Sequence, residues 1–272
     1  MYAILLSMTG QNTGKLNLLE RTLPEGLLVD AAWMERHGYS TSLRSQYVAA
    51  GWLSQPARST YKRLRGELTW EKVVVSLQTL LGSGLAVGGR TALDLQGFSH
   101  YLSASGPSVI HLYGAAPPPG WLAKLPLPQT FRFHKTQTLF RTLLEKPGLQ
   151  EGTLRQVQVA SEWPLTVSTP ERALLEMLDE LPGRESFHQA DMLMEGLSAL
   201  SPRRLRLLLA DCRSVKVKRL FFWFAARHPH AWGKQIDRSV VDLGTGKRSL
   251  VKGGRLDPDL LITVPDNIDA PV

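Results

Sequence analysis

The chain has one cysteine, Cys212, in 272 residues. That excludes a disulfide framework and a four-cysteine zinc site within one chain, and it fits a reducing compartment. Long apolar runs are missing as well. No stretch approaches the ~20 residues that a helix needs to cross a bilayer. The opening "MYAILLSM" is apolar but short, with no positive charge before it and no small-residue cleavage site. It reads as an extension ahead of a start at Met8 and not as a signal peptide. These absences predict a cytoplasmic protein without a membrane partner. Internal repeats and long low-complexity segments are also lacking.

A local absence is more informative. From His37 to Gly66 there is no Asp or Glu, yet five cations occur: Arg44, Arg58, Lys62, Arg63 and Arg65. Over the whole chain the formal net charge is +8, with 43% hydrophobic and 21% charged residues. The apolar content supports a buried core in one large or two modest domains. The basic balance mildly favours a polyanionic partner.

The order of elements explains the acid-free stretch. "NTGKLNLLERTL" at 12–23 reads as a helix with Asn12 or Thr13 as cap. "LLVDAAWMERHG" reads as a second helix capped by Asp30 and stopped by Gly38. "STSLRSQYVAAG" is a third, capped by Ser40 or Thr41, with Leu43, Tyr47 and Ala50 on its inner face. "WLSQPARSTYKRL" reads as two short strands around a Gln-Pro-Ala-Arg turn. Three helices and then a hairpin is the order of a winged helix-turn-helix. The outward face of the third helix would carry Thr41, Ser42, Arg44, Ser45 and Gln46, side chains that can meet base edges in a major groove. Arg58 at the hairpin tip, with Lys62 and Arg63 on the return strand, would reach phosphates. Carboxylates on such a surface would be repelled by the polyanion. The competing reading is a solvated helix and an exposed basic hairpin used for protein contacts.

The pattern changes near residues 65–69, which places domains at 1–68 and 69–272. In the second, "WEKVVVSLQTLL" and "GGRTALDLQGF" read as helices and "SVIHLYG" and "QTFRFHK" as strands, with a proline-rich loop between those strands. "LTVSTPERALLEML" is a strand running into a helix that begins with Thr169-Pro170. Three further helices cover "SFHQADMLMEGLSAL", "SPRRLRLLLADC" and "VKVKRLFFWFAARH". The end, "DLGTGKRSLVKGGRLDPDLLITV", reads as strands joined by glycine turns. The fold class is α+β: an N-terminal winged helix-turn-helix domain followed by a larger mixed α+β domain.

Catalytic motifs are weak. "GLAVGGRT" at 84–91 nearly matches a phosphate-binding loop, but Arg90 stands where lysine is needed, so a glycine-opened helix is preferred. Asp257 and Asp259 lie close together without the downstream lysine of a metal-dependent nuclease, so they read as a turn. His228 and His230 have no cysteine or carboxylate cluster nearby to complete a metal site. Cys212 reads as a core residue. Eight cations fall between Arg203 and Arg227 against Asp211 alone, and a solvated face is the default for them. The turns around Gly244 and Gly246 would expose Lys247, Arg248, Lys252 and Arg255, either as part of simple turns or as a patch for RNA, nucleotide or an acidic partner. No catalytic residue, cofactor or metal is expected.

Five stretches resemble the AbiEi antitoxins of type IV toxin–antitoxin systems: "GYSTSLRSQYVAAGWL", "VGGRTALDLQGFSHYL", "VSTPERALLEML", "VKVKRLFFWFA" and "VDLGTGKRSLVKGGRLDPDLLITVP". They run through nearly the whole chain in family order, and none is a catalytic motif. The resemblance implies a winged helix that binds inverted repeats in double-stranded DNA of its own promoter and represses it. It also implies a C-terminal domain that counters a nucleotidyltransferase-like toxin without a stable complex. The combined reading is a non-enzymatic autorepressor and antitoxin. The alternatives are a winged-helix regulator with a ligand-sensing or assembly domain and, more remotely, a nuclease using Asp257 and Asp259.

Overall fold

The computed structural model describes residues 14–98, 106–158 and 163–268. Met8, the Asn12 or Thr13 cap and residues 99–102 of the second resembling stretch lie outside these. The chain forms two compact units. The first runs to Ser83 and includes Pro119–Pro128; the second takes up at Gly84.

The first unit opens with helix α1 (14–22), whose Leu19 packs inward with Leu23 just after it. Strand β1 (Leu28–Asp30) leads directly into α2 (Ala31–Arg36). Asp30 accepts from the amide of Trp33 at 2.8 Å, which caps α2 as its sequence position predicts. Ser40, not Thr41, caps α3 (Thr41–Ala49), accepting from the Leu43 amide at 3.3 Å. Strands β2 (Leu53–Ser54) and β3 (Thr60–Arg63) form the wing hairpin. β1 pairs with the other edge of β3, so the sheet order is β1-β3-β2, all antiparallel. β1 is hidden in the sequence, where "LLVD" reads as the approach to a helix. Its presence makes β3 a central strand.

Helix α4 (Trp70–Thr79) belongs to this unit, although it follows the sequence boundary at 68/69. Its Ser76 hydroxyl accepts from the Leu28 amide at 2.8 Å, which ties it to β1. Gly66 has φ +82°, and a Cβ there would run into the backbone of Gly26, so only glycine fits this crossing.

The second unit is a five-stranded mixed sheet of order β6-β5-β4-β8-β7, from β4 (Ala86–Val87), β5 (Val109–Gly114), β6 (Thr130–Lys135), β7 (Leu154–Val157) and β8 (Leu165–Ser168). The pairs β5–β6 and β4–β8 are parallel. Helix α5 (Gly89–Leu95) packs against α8 (Pro170–Asp179), with the short α6 (Thr136–Leu139) and α7 (Pro147–Gly152) between strands. Helices α9 (Phe187–Gly196), α10 (Pro202–Asp211) and α11 (Val215–Arg227) follow, with Ser186, Ser201 and Ser214 as hydrogen-bonding N-caps. Thr169 occupies the cap position of α8, but its hydroxyl makes no cap bond. A two-stranded ribbon, β9 (Arg255–Asp257) and β10 (Ile262–Val264), closes the unit.

Candidate nucleic-acid interface and the basic C-terminal loops

The outer face of α3 presents Thr41, Ser42, Ser45 and Gln46 to solvent. The Ser45 hydroxyl donates to the carbonyl of Thr41 at 3.0 Å, which leaves its lone pairs outward. Arg58 is exposed on the wing, next to Ser59 at φ 64°. The turn is braced by Thr60, whose hydroxyl donates to the Ala57 carbonyl at 2.7 Å and accepts from the Ala57 amide at 2.9 Å.

Three cations from the same stretch are committed to the fold instead. Arg44 is placed by the sequence on the outward face, but it is only 6% exposed. Its Nη1 donates to the carbonyls of Ala31 at 3.0 Å and Tyr39 at 3.1 Å, and its Nη2 to the Thr41 hydroxyl at 2.8 Å. Its guanidinium also lies 5.7 Å from the Tyr61 ring centroid. It is a brace between α2 and α3 and is not presented on the outward face. Lys62 is buried, and its Nζ donates to the carbonyls of Arg63, Leu64, Arg65 and Gly66 at 2.8–3.4 Å. Burial pushes that ammonium below its ordinary pKa. Lys62 therefore wraps the chain leaving the wing. Arg63 pairs with Glu25 at 3.0 Å and Glu20 at 3.7 Å. Of the inner-face residues expected for α3, Leu43 and Tyr47 are buried, whereas Ala50 is exposed.

The second unit answers the motif questions by geometry. The near match to a phosphate loop joins β4 to α5, but its anion position is filled from within. The Gly89 amide donates to Glu176 Oε2 at 2.9 Å, and the other carboxylate oxygen takes Arg172 Nε at 2.7 Å. Glu176 is wholly buried, and Arg90 pairs with Glu185 at 3.2 Å. Asp257 Oδ1 accepts from the amides of Asp259 at 3.0 Å and Leu260 at 2.8 Å, a turn-forming arrangement. His228 reaches Asp191 at 2.7 Å and His230 the Met194 carbonyl at 2.8 Å, so both pin their loop to α9. Cys212 is fully buried, which pushes its thiol up to about 11.

Lys247, Arg248, Lys252 and Arg255 are all exposed, and none forms an ion pair among the described residues. A buried cation organises the loop beneath them. Arg219 of α11, 2% exposed, donates from Nε to Leu243 O at 2.8 Å, from Nη1 to Gly246 O at 2.7 Å and Leu261 O at 3.2 Å, and from Nη2 to Gly244 O at 3.2 Å. The planar fork offers five N–H donors in a fixed geometry to these four backbone acceptors, where an ammonium has three. Gly244, at φ +58°, sits against Val215. In the sequence, Arg219 is one basic residue among eight, and nothing there marks it as the anchor.

The sequence also gives no hint of a cluster formed by His111, His134 and Glu180. His111 Nδ1 lies 3.0 Å from His134 Nε2, and His134 Nδ1 lies 3.4 Å from Glu180 Oε1. Burial, with Arg132 and Arg184 adding to it, holds His111 down to about 3 and His134 to about 4, so both imidazoles are neutral near pH 7.

No helix among the described residues is long and apolar enough to cross a membrane. No match is found among curated proteins. The crystal structure of the RV2827C protein from Mycobacterium tuberculosis is similar in fold, with a TM-score of 0.56 at 17% identity over 91% of this chain and 89% of that one. Residues 12–104 match the N-terminal domain of the transcriptional regulator AbiEi antitoxins. Residues 108–265 match the family described as transcriptional regulator, AbiEi antitoxin, type IV toxin–antitoxin system, and with both matches running through nearly its whole length the chain belongs to the AbiEi family.

Proposed function

We propose that the protein represses its own promoter through its winged helix and counters a nucleotidyltransferase-like toxin without a stable complex. The observation that carries the DNA half is the division of labour among residues 37–66. The acid-free stretch keeps Thr41, Ser42, Ser45, Gln46 and Arg58 exposed, while Arg44, Lys62 and Arg63 are spent on the fold. Short hydrogen-bonding side chains on α3 then read base edges, and Arg58 anchors the wing on phosphate. Winged-helix dimers bind half-sites related by twofold symmetry, which suits inverted repeats. DNA binding falls to the winged-helix elements within residues 1–68 and antitoxin activity to residues within 69–272, with α4 a part of the first compact unit. Lys247, Arg248, Lys252 and Arg255 are the surface for the second role, since free cations raise the encounter rate with a polyanion or an acidic protein.

A promoter reporter beside a growth-rescue assay tests this, with antitoxin supplied from an unrelated promoter. Gln46→Ala with Arg58→Ala should relieve repression and leave rescue intact. Unchanged repression by this folded variant removes α3 and the wing from the mechanism.

One observation favours ligand sensing as a second reading. A cleft of about 750 Å³ lies between α7 and α10, with Lys146, Arg203 and Arg204 around Leu149 and Leu207.

A further inference from the structure

We propose that His111 and His134 bind one divalent transition-metal ion, with Glu180 as the carboxylate that orients His134. The argument begins with the sheet. β5 and β6 are parallel and in register, with Tyr113 opposite His134 and His111 opposite Arg132. His111 and His134 are thus diagonal neighbours on one face, the spacing at which long side chains from adjacent strands meet. Their rings are nearly parallel, at 7°, and meet edge to edge with centroids 5.1 Å apart, while Tyr113 stacks on His134 at 4.5 Å. The tyrosine fixes the plane of the imidazole.

Two ring nitrogens point at one another across 3.0 Å. In the metal-free protein a single proton must sit between them, donated by one ring to the other. Two imidazole nitrogens on a tetrahedral ion at a bond length of ~2.05 Å are about 3.3 Å apart. The separation therefore needs to grow by only a few tenths of an ångström, and each ring turns by roughly 35° so that both lone pairs converge on an ion beside the N···N line. His111 stays neutral when the metal binds: the proton on its Nδ1 shifts to its Nε2, which frees the Nδ1 lone pair for the ion.

Glu180 completes the arrangement from the other side. Its Oε1 faces His134 Nδ1 at 3.4 Å, so that nitrogen keeps its hydrogen and Nε2 keeps its lone pair. This is the role a carboxylate plays behind a metal-bound histidine, fixing tautomer and ring direction. Its Oε2 pairs with Arg184 at 3.4 Å and Arg132 at 4.0 Å. Those guanidiniums hold the carboxylate still, but they also oppose a dication. Imidazole donors select copper, nickel, zinc and cobalt over magnesium or calcium. The remaining coordination positions fall to solvent or to an incoming ligand.

The test uses the full chain, cleared of metal by chelator and then titrated with Cu²⁺, Zn²⁺ or Mg²⁺. Calorimetry follows binding, and electron paramagnetic resonance of the copper form counts its nitrogens. The expected result is one equivalent of Cu²⁺ or Zn²⁺, no Mg²⁺, and a copper spectrum with two nitrogen ligands. His111→Asn and His134→Asn should each abolish the two-nitrogen spectrum while near-ultraviolet circular dichroism shows the fold intact. Glu180→Gln should keep the stoichiometry and weaken binding roughly 10–100-fold. Arg132→Gln, which relieves charge without touching either ring, should tighten it. The proposal is overturned if the parent binds neither Cu²⁺ nor Zn²⁺ at micromolar concentration. It is equally overturned if His111→Asn retains the same spectrum, because the ion would then sit at another histidine.

Discussion

Replacing Arg219 by methionine removes the side chain whose hydrogen bonds tie α11 to the loop at 243–246. The parent makes four charge-assisted hydrogen bonds to carbonyls, at 2.7, 2.8, 3.2 and 3.2 Å. Each such bond contributes ~1.5–3 kcal/mol net, but they act as one unit and do not sum. Two effects reduce the loss. Leu261 O keeps a second donor, the Arg248 amide at 2.8 Å, and Gly244 and Gly246 are exposed enough for water to replace the guanidinium. Methionine also relieves the desolvation of a cation that has no carboxylate partner. The net expectation is a destabilisation of ~2–4 kcal/mol, concentrated in this loop. Urea unfolding followed by circular dichroism measures the total. Limited trypsin digestion measures the locality, because Lys247 and Arg248 lie just past the loop and should become cleavage sites. Arg219→Lys keeps the charge without the fork and should fall between the two. A loss below ~0.5 kcal/mol with unchanged trypsin resistance would refute the anchoring argument.

Other expectations follow from the same geometry. Arg44→Ala should cost ~2–3 kcal/mol of stability and leave the ranking of promoter base variants unchanged, as measured by urea unfolding and competition binding; altered ranking at full stability would return Arg44 to the DNA surface. Changing Lys247, Arg248, Lys252 and Arg255 to Ser should leave the unfolding midpoint within error, since exposed cations contribute little, and reduce rescue of toxin-expressing cells while repression persists. Equal rescue would move the antitoxin surface elsewhere. His111 and His134 should make the protein acid-sensitive. Their folded values, about 3 and about 4, lie below the unfolded value of ~6.5, so the unfolded chain binds more protons in between. The stability they contribute is complete above pH ~6.5 and falls by up to ~1.4 kcal/mol per pH unit per histidine as pH drops toward those values. Urea midpoints at pH 7 and pH 5 check this, and an equally steep dependence in His111→Asn with His134→Asn would contradict it.

The helices that begin with a serine followed within a turn by an apolar stripe were legible from sequence, because cap and period agree. The short strands β1 and β4 were not, since they show no alternation, whereas β2, β9 and β10 are equally short but are marked by the turns beside them. The unseen β1 had a consequence for the site. With β1 on one side and β2 on the other, β3 is central, and Lys62 is buried with its ammonium on the carbonyls of the chain that leaves the strand. Arg44 misled for a related reason. It lies three residues before Tyr47, so it shares part of the buried face, and its guanidinium can reach the Ala31 and Tyr39 carbonyls across the turn. Sequence spacing shows that a cation stands near a helix boundary but not whether carbonyls wait for it inside. The exposed hydroxyls and amide of α3 were legible because short polar side chains beside a buried Leu43 and Tyr47 have nowhere else to go. The histidine pair was invisible because its members are 23 residues apart and meet only through the β5–β6 register.

The proposed DNA-reading role of α3 and the wing is tested most directly by fluorescence anisotropy of the full chain on its own promoter, measured across a salt series. Arg58→Ala should weaken every sequence alike and lower the salt slope by ~1. Gln46→Ala should keep the slope and lose ~1–3 kcal/mol of discrimination at the base it reads. Wild-type affinity, slope and discrimination in the folded double variant would contradict the assignment of DNA binding to this surface.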